Sequence, residues 1–457
     1  MTMRVRGQSR QIGMVHVLGW TSLLASVVAT APVARGSPPT VGFGPETSYE
    51  LSSSQPHRVV VEYVDGDTHA DLVVTCTGGI DGIGAVTVQF GDGLGGFLQS
   101  DDIDVGGSPW GLAVDHFNSD NELDLAVTLG GNEVTDVRIF LGAGEGTFVP
   151  GVVLTAGRFP IGVVARDFNG DGDTDLAVAN NVLYGLTVFL GNGDGTFGSG
   201  EHVTDASGFR ATDIAVGHLN ADNHLDLALS HYGGVLLLAG AGDGTFTTLA
   251  YVGSSVLTEA VALGDVNADG AADVASVEVY GGNLLLNLGN GDGTFQTAQP
   301  YSVGSFCRDV LINDINLDGL ADVTLAYQDG NQVKVMLSSG CGTLMPALDF
   351  ATGVQPFAVA SGDWNEDGYP DLAVPYRNLG DTAFTSILLQ LPPSPVIPGD
   401  ADGDADVDAD DLTLFEDCMA GPGIQPDPTL LECAVQCLEV FDFDGDVDVD
   451  CDDWAAF

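Results

Sequence analysis

The stretch DFNGDGDTDLAV, residues 167–178, places four aspartates and an asparagine within nine positions and then runs directly into an apolar segment. Recognisable copies stand seven times along the 457-residue chain, with their last acidic position at Asp71, Asp124, Asp175, Asp226, Asp273, Asp322 and Asp371. The period is about fifty residues, the length of one four-stranded propeller blade. Within the repeat at 160–208, PIGVVARDF enters the acidic loop, DLAVAN and GLTVFL follow, and the turn GNGDGTF opens a more polar fourth segment. Alternating and continuous β-branched runs broken by Gly and Asp clusters are the signals of half-buried and fully buried strands. The expected fold is all-β: a seven-bladed β-propeller of four-stranded blades.

The turn returns as GLGGF before Leu98, as GEGTF ending at Phe148, as GDGTF ending at Phe197, Phe246 and Phe295, and in eroded form as CGTL ending at Leu344. Its glycines supply the positive backbone angles of a tight hairpin, and its phenylalanine is the expected anchor between neighbouring blades. The seventh repeat stops after SILLQL without this turn or its fourth strand. Residues 41–51, VGFGPETSYEL, read like the missing piece, with Phe43 in the place of Phe148 and Pro45 in that of Pro150. An N-terminal strand that completes the last blade closes the ring and removes open sheet edges; an open or six-plus-one arrangement is the alternative.

Composition supports a packed chain, because 44% apolar residues and 63 glycines describe short strands joined by tight turns, unlike a disordered polymer. The formal charge of -53, from 65 acidic against 12 basic residues, repels nucleic acid and anionic membrane surfaces, so neither is an expected partner. Residues 1–36 have the organisation of a secretory signal: Arg4, Arg6 and Arg10 precede an apolar run over 12–28, followed by Ala29, Ala31 and Gly36. That run is short for a membrane span. The expectation is a secreted or cell-surface protein with no membrane span in its mature form, a propeller over 41–391, a proline-rich linker over 392–398 and a second module over 399–457. Removal of the signal takes Arg35 as well and leaves eight basic side chains, of which Lys334 is the only lysine. Cys418, Cys433, Cys437 and Cys451 crowd the tail, where two disulfides of undetermined connectivity are expected.

Calcium takes six to eight hard oxygens, and a loop alternating carboxylate or amide with spacer residues turns every second side chain inward. Repeat three offers Asp167, Asn169, Asp171 and Asp175, with Asp173 ligating through its backbone carbonyl. The set stands complete again at Asp265, Asn267, Asp269 and Asp273, at Asp314, Asn316, Asp318 and Asp322, and at Asp363, Asn365, Asp367 and Asp371. Repeats one, two and four put Tyr63, His116 and His218 in place of the first carboxylate, which leaves at most weak calcium sites there. Imidazole among hard oxygens has no soft partner, so a transition-metal role for either histidine is the lesser reading.

These loops, with the FLGNGDGTF strand and turn that follow, resemble the FG-GAP/VCBS repeats of integrin-α-type propellers over residues 41–391. The resemblance implies a seven-bladed disc with Ca2+ in hairpin loops on one face, in extracellular adhesion or carbohydrate-related proteins. Residues 399–457 resemble a type I dockerin, a small helical EF-hand-type module with a duplicated calcium loop that binds cohesin domains. That resemblance puts ligands at Asp400, Asp402, Asp404, Asp406 through its carbonyl, Asp408 and Asp411, and at Asp442, Asp444, Asp446, Asp448 through its carbonyl, Asp450 and Asp453. Ala405 and Val447 stand where the family has glycine, and the final helix is cut short after Trp454.

The loops leading into the innermost strands are where propellers often hold ligands, and their equivalent positions are His57, Trp110, Ile161, Thr212, Glu259, Arg308 and Phe357. Phe159, Arg210 and Phe306 stand two residues earlier in their own repeats. No repeated catalytic pair appears among them. Arg58, Arg158, Arg210 and Arg308 cluster here and either meet an anionic or sugar ligand or, as the favoured reading has it, pair with neighbouring acids. Phosphate-cradling loops, a serine nucleophile elbow and zinc spacing are all missing from the sequence. The expected function is a binding or adhesion scaffold for a carbohydrate or protein ligand, with a polysaccharide lyase or hydrolase as the rival.

Overall fold

Each repeat folds into four antiparallel strands because its three turns fall at Asp- and Gly-rich breaks between β-branched runs. Blade 3 consists of Pro160–Arg166, Asp175–Asn180, Leu186–Phe189 and the two-residue Glu201–His202, paired in that order. The computed structural model describes residues 41–392, apart from 79–83, 132, 183, 204–209, 254–255, 341, 379 and 381. The signal expected over 1–36, most of the linker, and the dockerin-like module with its ligand positions from Asp400 to Asp453 lie outside the described residues. Within them are seven four-stranded sheets and no helix, a seven-bladed β-propeller.

The second strand of every blade is buried nearly throughout, as in Asp71–Cys76, Asp124–Leu129 and Asp175–Asn180, because blades stack face to face and cover both sides of it. Outer strands such as Phe97–Asp104 are mostly exposed and correspondingly polar. Among the described residues are seven separate hydrophobic clusters, one at each contact between neighbouring blades. The cluster between blades 7 and 1 joins Trp364, Ala373 and Ile387 to Leu72 and Val74, so the ring is closed.

Closure is made by the N-terminal strand. Thr47–Glu50 pairs antiparallel with Ala383–Leu388, and Phe43 bridges Gln390 just as Phe197 bridges Gly191 in blade 3. The expected equivalence of residues 41–51 to the missing fourth strand therefore holds. The GDGTF turn also acts as expected: Gly195, at φ +83, donates its N–H to Phe117 of the preceding blade at 2.8 Å. Phe197 meets Phe117 edge-on with ring centroids 5.5 Å apart, and Phe246 meets Phe168 at the same distance.

Candidate ligand-binding site at the channel mouth

In blades 1 to 6 the pairing between inner and second strand slips once, at Pro56/Arg58, Pro109/Leu112, Pro160/Gly162, Ala211/Asp213, Thr258/Ala260 and Cys307/Asp309. The residues left out of register include His57, Trp110, Ile161, Thr212, Glu259 and Arg308. Phe357 holds the equivalent place in blade 7, donating its N–H to Pro375 at 3.0 Å. A bulge re-aims the side chain it leaves unpaired. All seven, with Arg58, line one cavity of about 250 Å³ at the mouth of the central channel. The ring of positions read from sequence is thus brought together.

The bulges are supported from beneath. The Arg58 and Gly111 amides donate to the Thr75 and Thr128 hydroxyls at 3.1 and 2.7 Å, and the Thr75 hydroxyl donates on to the Trp110 carbonyl at 3.0 Å. Two residues before the bulge, Gln55, Phe159, Phe306 and Gln355 adopt φ of 64, 56, 63 and 57°. Left-handed backbone at such residues costs about 1 kcal/mol each or more. Their carbonyls accept N–H from Thr77, Asn181, Gln328 and Arg377, so the strained corners are held by the following strand.

One half of the mouth is aromatic. His57 lies 4.0 Å from Trp110 and 5.8 Å from Phe357 between ring centroids, and Trp110 meets Phe159 edge-on at 5.2 Å. The indole rests on Gly130, where an added Cβ would come within 2.1 Å of it. The other half is polar: Arg308 Nη1 donates to Glu259 Oε1 at 2.9 Å, its Nε donates to Gln328, and its guanidinium faces Phe306 and Phe357 at 5.7 and 6.0 Å. Burial, then the charges of Arg58 and Arg308, push the His57 pKa down from 6.5 to about 3, so this imidazole is neutral at physiological pH.

Below the ring, the next residue of each inner strand is Arg58, Gly111, Gly162, Asp213, Ala260, Asp309 or Ala358. The three charged members meet. Arg58 bridges Asp213 and Asp309 across the channel, and both carboxylates also accept N–H from the next blade, Val261 to Asp213 and Val359 to Asp309, each at 3.1 Å. Of the arginines expected near the mouth, Arg58 and Arg308 are acid-paired, as is Arg158 with Glu133. Arg210 instead donates to the Asn181 carbonyl at 3.0 Å and sits 5.2 Å from the Tyr232 ring centroid, with no carboxylate partner among the described residues. The bridging role of Asp213 and Asp309 was not foreseen. Its signal was two aspartates at a register position that is otherwise glycine, alanine or arginine.

The acidic loops lie at the other end of the inner strands. Their last aspartate is buried in every blade and accepts two backbone amides. Asp175 takes Phe168 N–H at 2.9 Å and Gly191 N–H at 2.8 Å; Asp273 takes Val266 and Gly289, Asp322 takes Ile315 and Ser338, and Asp371 takes Trp364 and Gln390. This residue staples the loop to the third strand, and each of its oxygens keeps a second lone-pair direction. Burial first, and repulsion from the other loop carboxylates as a smaller cause, push Asp273 up to about 6 and Asp322 and Asp371 up to about 7.

The four complete loops share one geometry. Asp167, Asp265, Asp314 and Asp363 accept N–H from Gly172, Gly270, Gly319 and Gly368 at 2.8 to 2.9 Å. Asn169, Asn267, Asn316 and Asn365 donate to Asp171, Asp269, Asp318 and Asp367 over the same distances. The Asp173 carboxylate lies against the Gly193 turn, outside the loop. Every donor group is a hard oxygen, as calcium requires, although among the described residues no three acidic, imidazole or thiol groups already converge on one point. Loops two and four differ in kind: the His116 ring Nδ1–H donates to the Glu122 carbonyl at 2.7 Å, and His218 to the His224 carbonyl at 2.9 Å. Those carbonyls are the positional equivalents of that of Asp173.

The FG-GAP-like repeat family matches residues 116–178, 167–229, 218–276, 265–323 and 314–374, together more than half of the chain. The chain belongs to the FG-GAP-like repeat family. Solved structures similar to this FG-GAP-like propeller include BBS1N in complex with ARL6DN, in a mercury-soaked crystal at 12% identity and TM-score 0.53 and a lead-soaked one at 13% and 0.50; each alignment covers 78% of this chain and 98% of that one. An Agrocybe aegerita lectin, described for its recognition of non-reducing terminal N-acetylglucosamine, aligns at 18% identity and TM-score 0.48 over 69% of this chain and 90% of its own. At these identities the BBS1N likeness is one of fold. No curated protein matches the chain.

Proposed function

We propose that this FG-GAP-like propeller is a secreted binding scaffold that presents the channel mouth to an extracellular carbohydrate or protein ligand, with the dockerin-like tail over 399–457 docking it to a cohesin-like partner. The observation that carries the reading is the convergence of six bulge residues and Phe357, their equivalent in blade 7, on one cavity, half aromatic and half polar. Binding is favoured over turnover for chemical reasons. Glycoside hydrolysis ordinarily needs two carboxylates, and this ring has Glu259 alone, tied to Arg308. A lyase needs a base near neutrality, and His57 is far too weak a base at about 3.

Calcium would be held by Asp167, Asn169, Asp171, Asp175 and the Asp173 carbonyl in repeat three, and by the equivalent residues of repeats five, six and seven. Its contribution would be structural, offsetting the mutual repulsion of the loop carboxylates. In loops two and four the histidine N–H already occupies the carbonyl that an ion would take, which supports ion-free loops there. At about 1 mM ion and dissociation constants on the order of 0.1 mM, each occupied loop adds about 1.4 kcal/mol.

The direct test is a glycan array and an extracellular-protein pull-down with wild type, Trp110→Ala and Glu259→Gln, alongside reducing-end and unsaturated-product assays. Binding without turnover that is lost in both variants is the expected result. Product formation abolished by Arg308→Ala would instead establish an enzyme. A pull-down with cohesin modules addresses the tail.

A further inference from the structure

The cavity at the mouth is small. Ligand pockets for drug-sized molecules run to roughly 300–1,000 Å³, whereas this one measures about 250 Å³, which suits a single ring better than an extended chain. Its lining is two-sided, with His57, Trp110, Phe357 and Ile161 along one half and Thr212, Glu259 and Arg308 along the other. A matching occupant has one apolar face and a rim of hydrogen-bonding groups.

Charge narrows the choice further. Both guanidiniums that line the cavity are already neutralised, Arg308 by Glu259 and Arg58 by Asp213 and Asp309, inside a chain of formal charge -53. An anion therefore finds both arginines that line the cavity already paired, and a repulsive field around it. A cation fares no better, because Arg308 and Arg377 already lie 6.0 and 5.9 Å from the Phe357 ring centroid and occupy that wall with positive charge. The Glu259–Arg308 pair still offers hydrogen bonds: Oε2 of Glu259 and Nη2 of Arg308 have no partner among the described residues. An acceptor and a donor side by side match two adjacent hydroxyls.

We infer that the channel mouth binds one terminal, uncharged pyranose, its apolar face against the His57–Trp110–Phe357 arc and two neighbouring hydroxyls on the Glu259–Arg308 pair. This rests on the reading of the mouth as the recognition site and adds the class of ligand. Trp110 is the apolar anchor, and Gly130 fixes where its indole lies.

The test is calorimetric titration of the full-length protein with methyl glucoside, galactoside, mannoside and N-acetylglucosaminide, beside glucuronic acid and glucosamine as charged counterparts. Expected is binding of at least one neutral glycoside, several-fold tighter than either charged sugar. That binding should weaken by roughly tenfold or more in Trp110→Ala, as when an anchoring aromatic is truncated, and also in Gly130→Ala, which keeps the indole but displaces it. Val153→Ser, on an exposed outer strand, serves as the control that binds as wild type does, and melting curves confirm that each variant is folded. Tighter binding of glucuronic acid or glucosamine, lost in Trp110→Ala, overturns the neutral-sugar inference and leaves the mouth as the site. Neutral-sugar binding untouched by Trp110→Ala and Gly130→Ala overturns both. No binding of any sugar at 10 mM overturns the inference, and a protein ligand sensitive to Trp110→Ala would then keep the mouth reading alone.

Discussion

Arg58 bridges two aspartates that are otherwise buried among Leu112, Val163, Ile214 and Val261. Removing one partner of such a group leaves an uncompensated charge, typically at a cost of about 3–5 kcal/mol. Arg58→Met is expected to destabilise by about 3 kcal/mol in urea unfolding at pH 7, and by less near pH 4, where Asp309, whose pKa burial already raises, takes up a proton. His57 gives a second residue-level test. Its folded pKa of about 3 lies below the ordinary 6.5, so the unfolded chain binds a proton that the folded chain refuses. Stability is therefore lost as pH falls through 6.5 towards 3. Melting curves of His57→Gln should fall less steeply over that window than those of wild type. The mouth positions could be read from sequence because they recur at one offset in each repeat. The triad could not, since its three members sit in blades 1, 4 and 6 and meet only across the closed ring.

At the scale of the loop, one residue type serves two purposes. The sequence presents Asp171 and Asp175 alike as ligands, because both metal binding and amide binding call for a carboxylate. Their surroundings separate them: Asp171 is exposed in the loop, whereas Asp175 is buried and accepts two amides. Hydrogen bonds to a charged acceptor are worth roughly 1.5–3 kcal/mol each. Asp175→Ala is thus expected to lower the melting temperature in chelator by the equivalent of about 3 kcal/mol, and in calcium by about 1.4 kcal/mol more, because the emptied loop loses its ion as well. Asp171→Ala should lower it in calcium only, by about 1.4 kcal/mol for one emptied loop. A loss for Asp171→Ala that persists in chelator would remove the ion from this loop. Two histidines read from sequence as poor ligands turn out to bridge their loops by hydrogen bonds, a use that depends on a backbone carbonyl and so leaves no mark in residue spacing.

For the whole molecule, closure was legible from Phe43 and Pro45 alone, since the seventh repeat lacks what residues 41–51 supply. The pairing of Thr47–Glu50 with Ala383–Leu388 brings the two ends of the propeller into one sheet. Deleting residues 41–51 is expected to bare the Ala383–Leu388 edge, lower the melting temperature and cause concentration-dependent association on gel filtration; a monomer with unchanged stability would show that the ring does not need this strand. A closed disc holds its seven inner strands in fixed register, and that fixes the ring of bulge residues at the mouth. The most direct measurement is amide and indole chemical-shift mapping of the 15N-labelled full-length protein during titration with a neutral methyl glycoside or a glycan retained on the array. Saturable shifts of the Trp110 indole N–H and of the His57, Thr212, Glu259, Arg308 and Phe357 amides are expected. Shifts confined to the acidic loops or outer strands, with the Trp110 indole unmoved at saturation, would contradict a recognition site at the channel mouth.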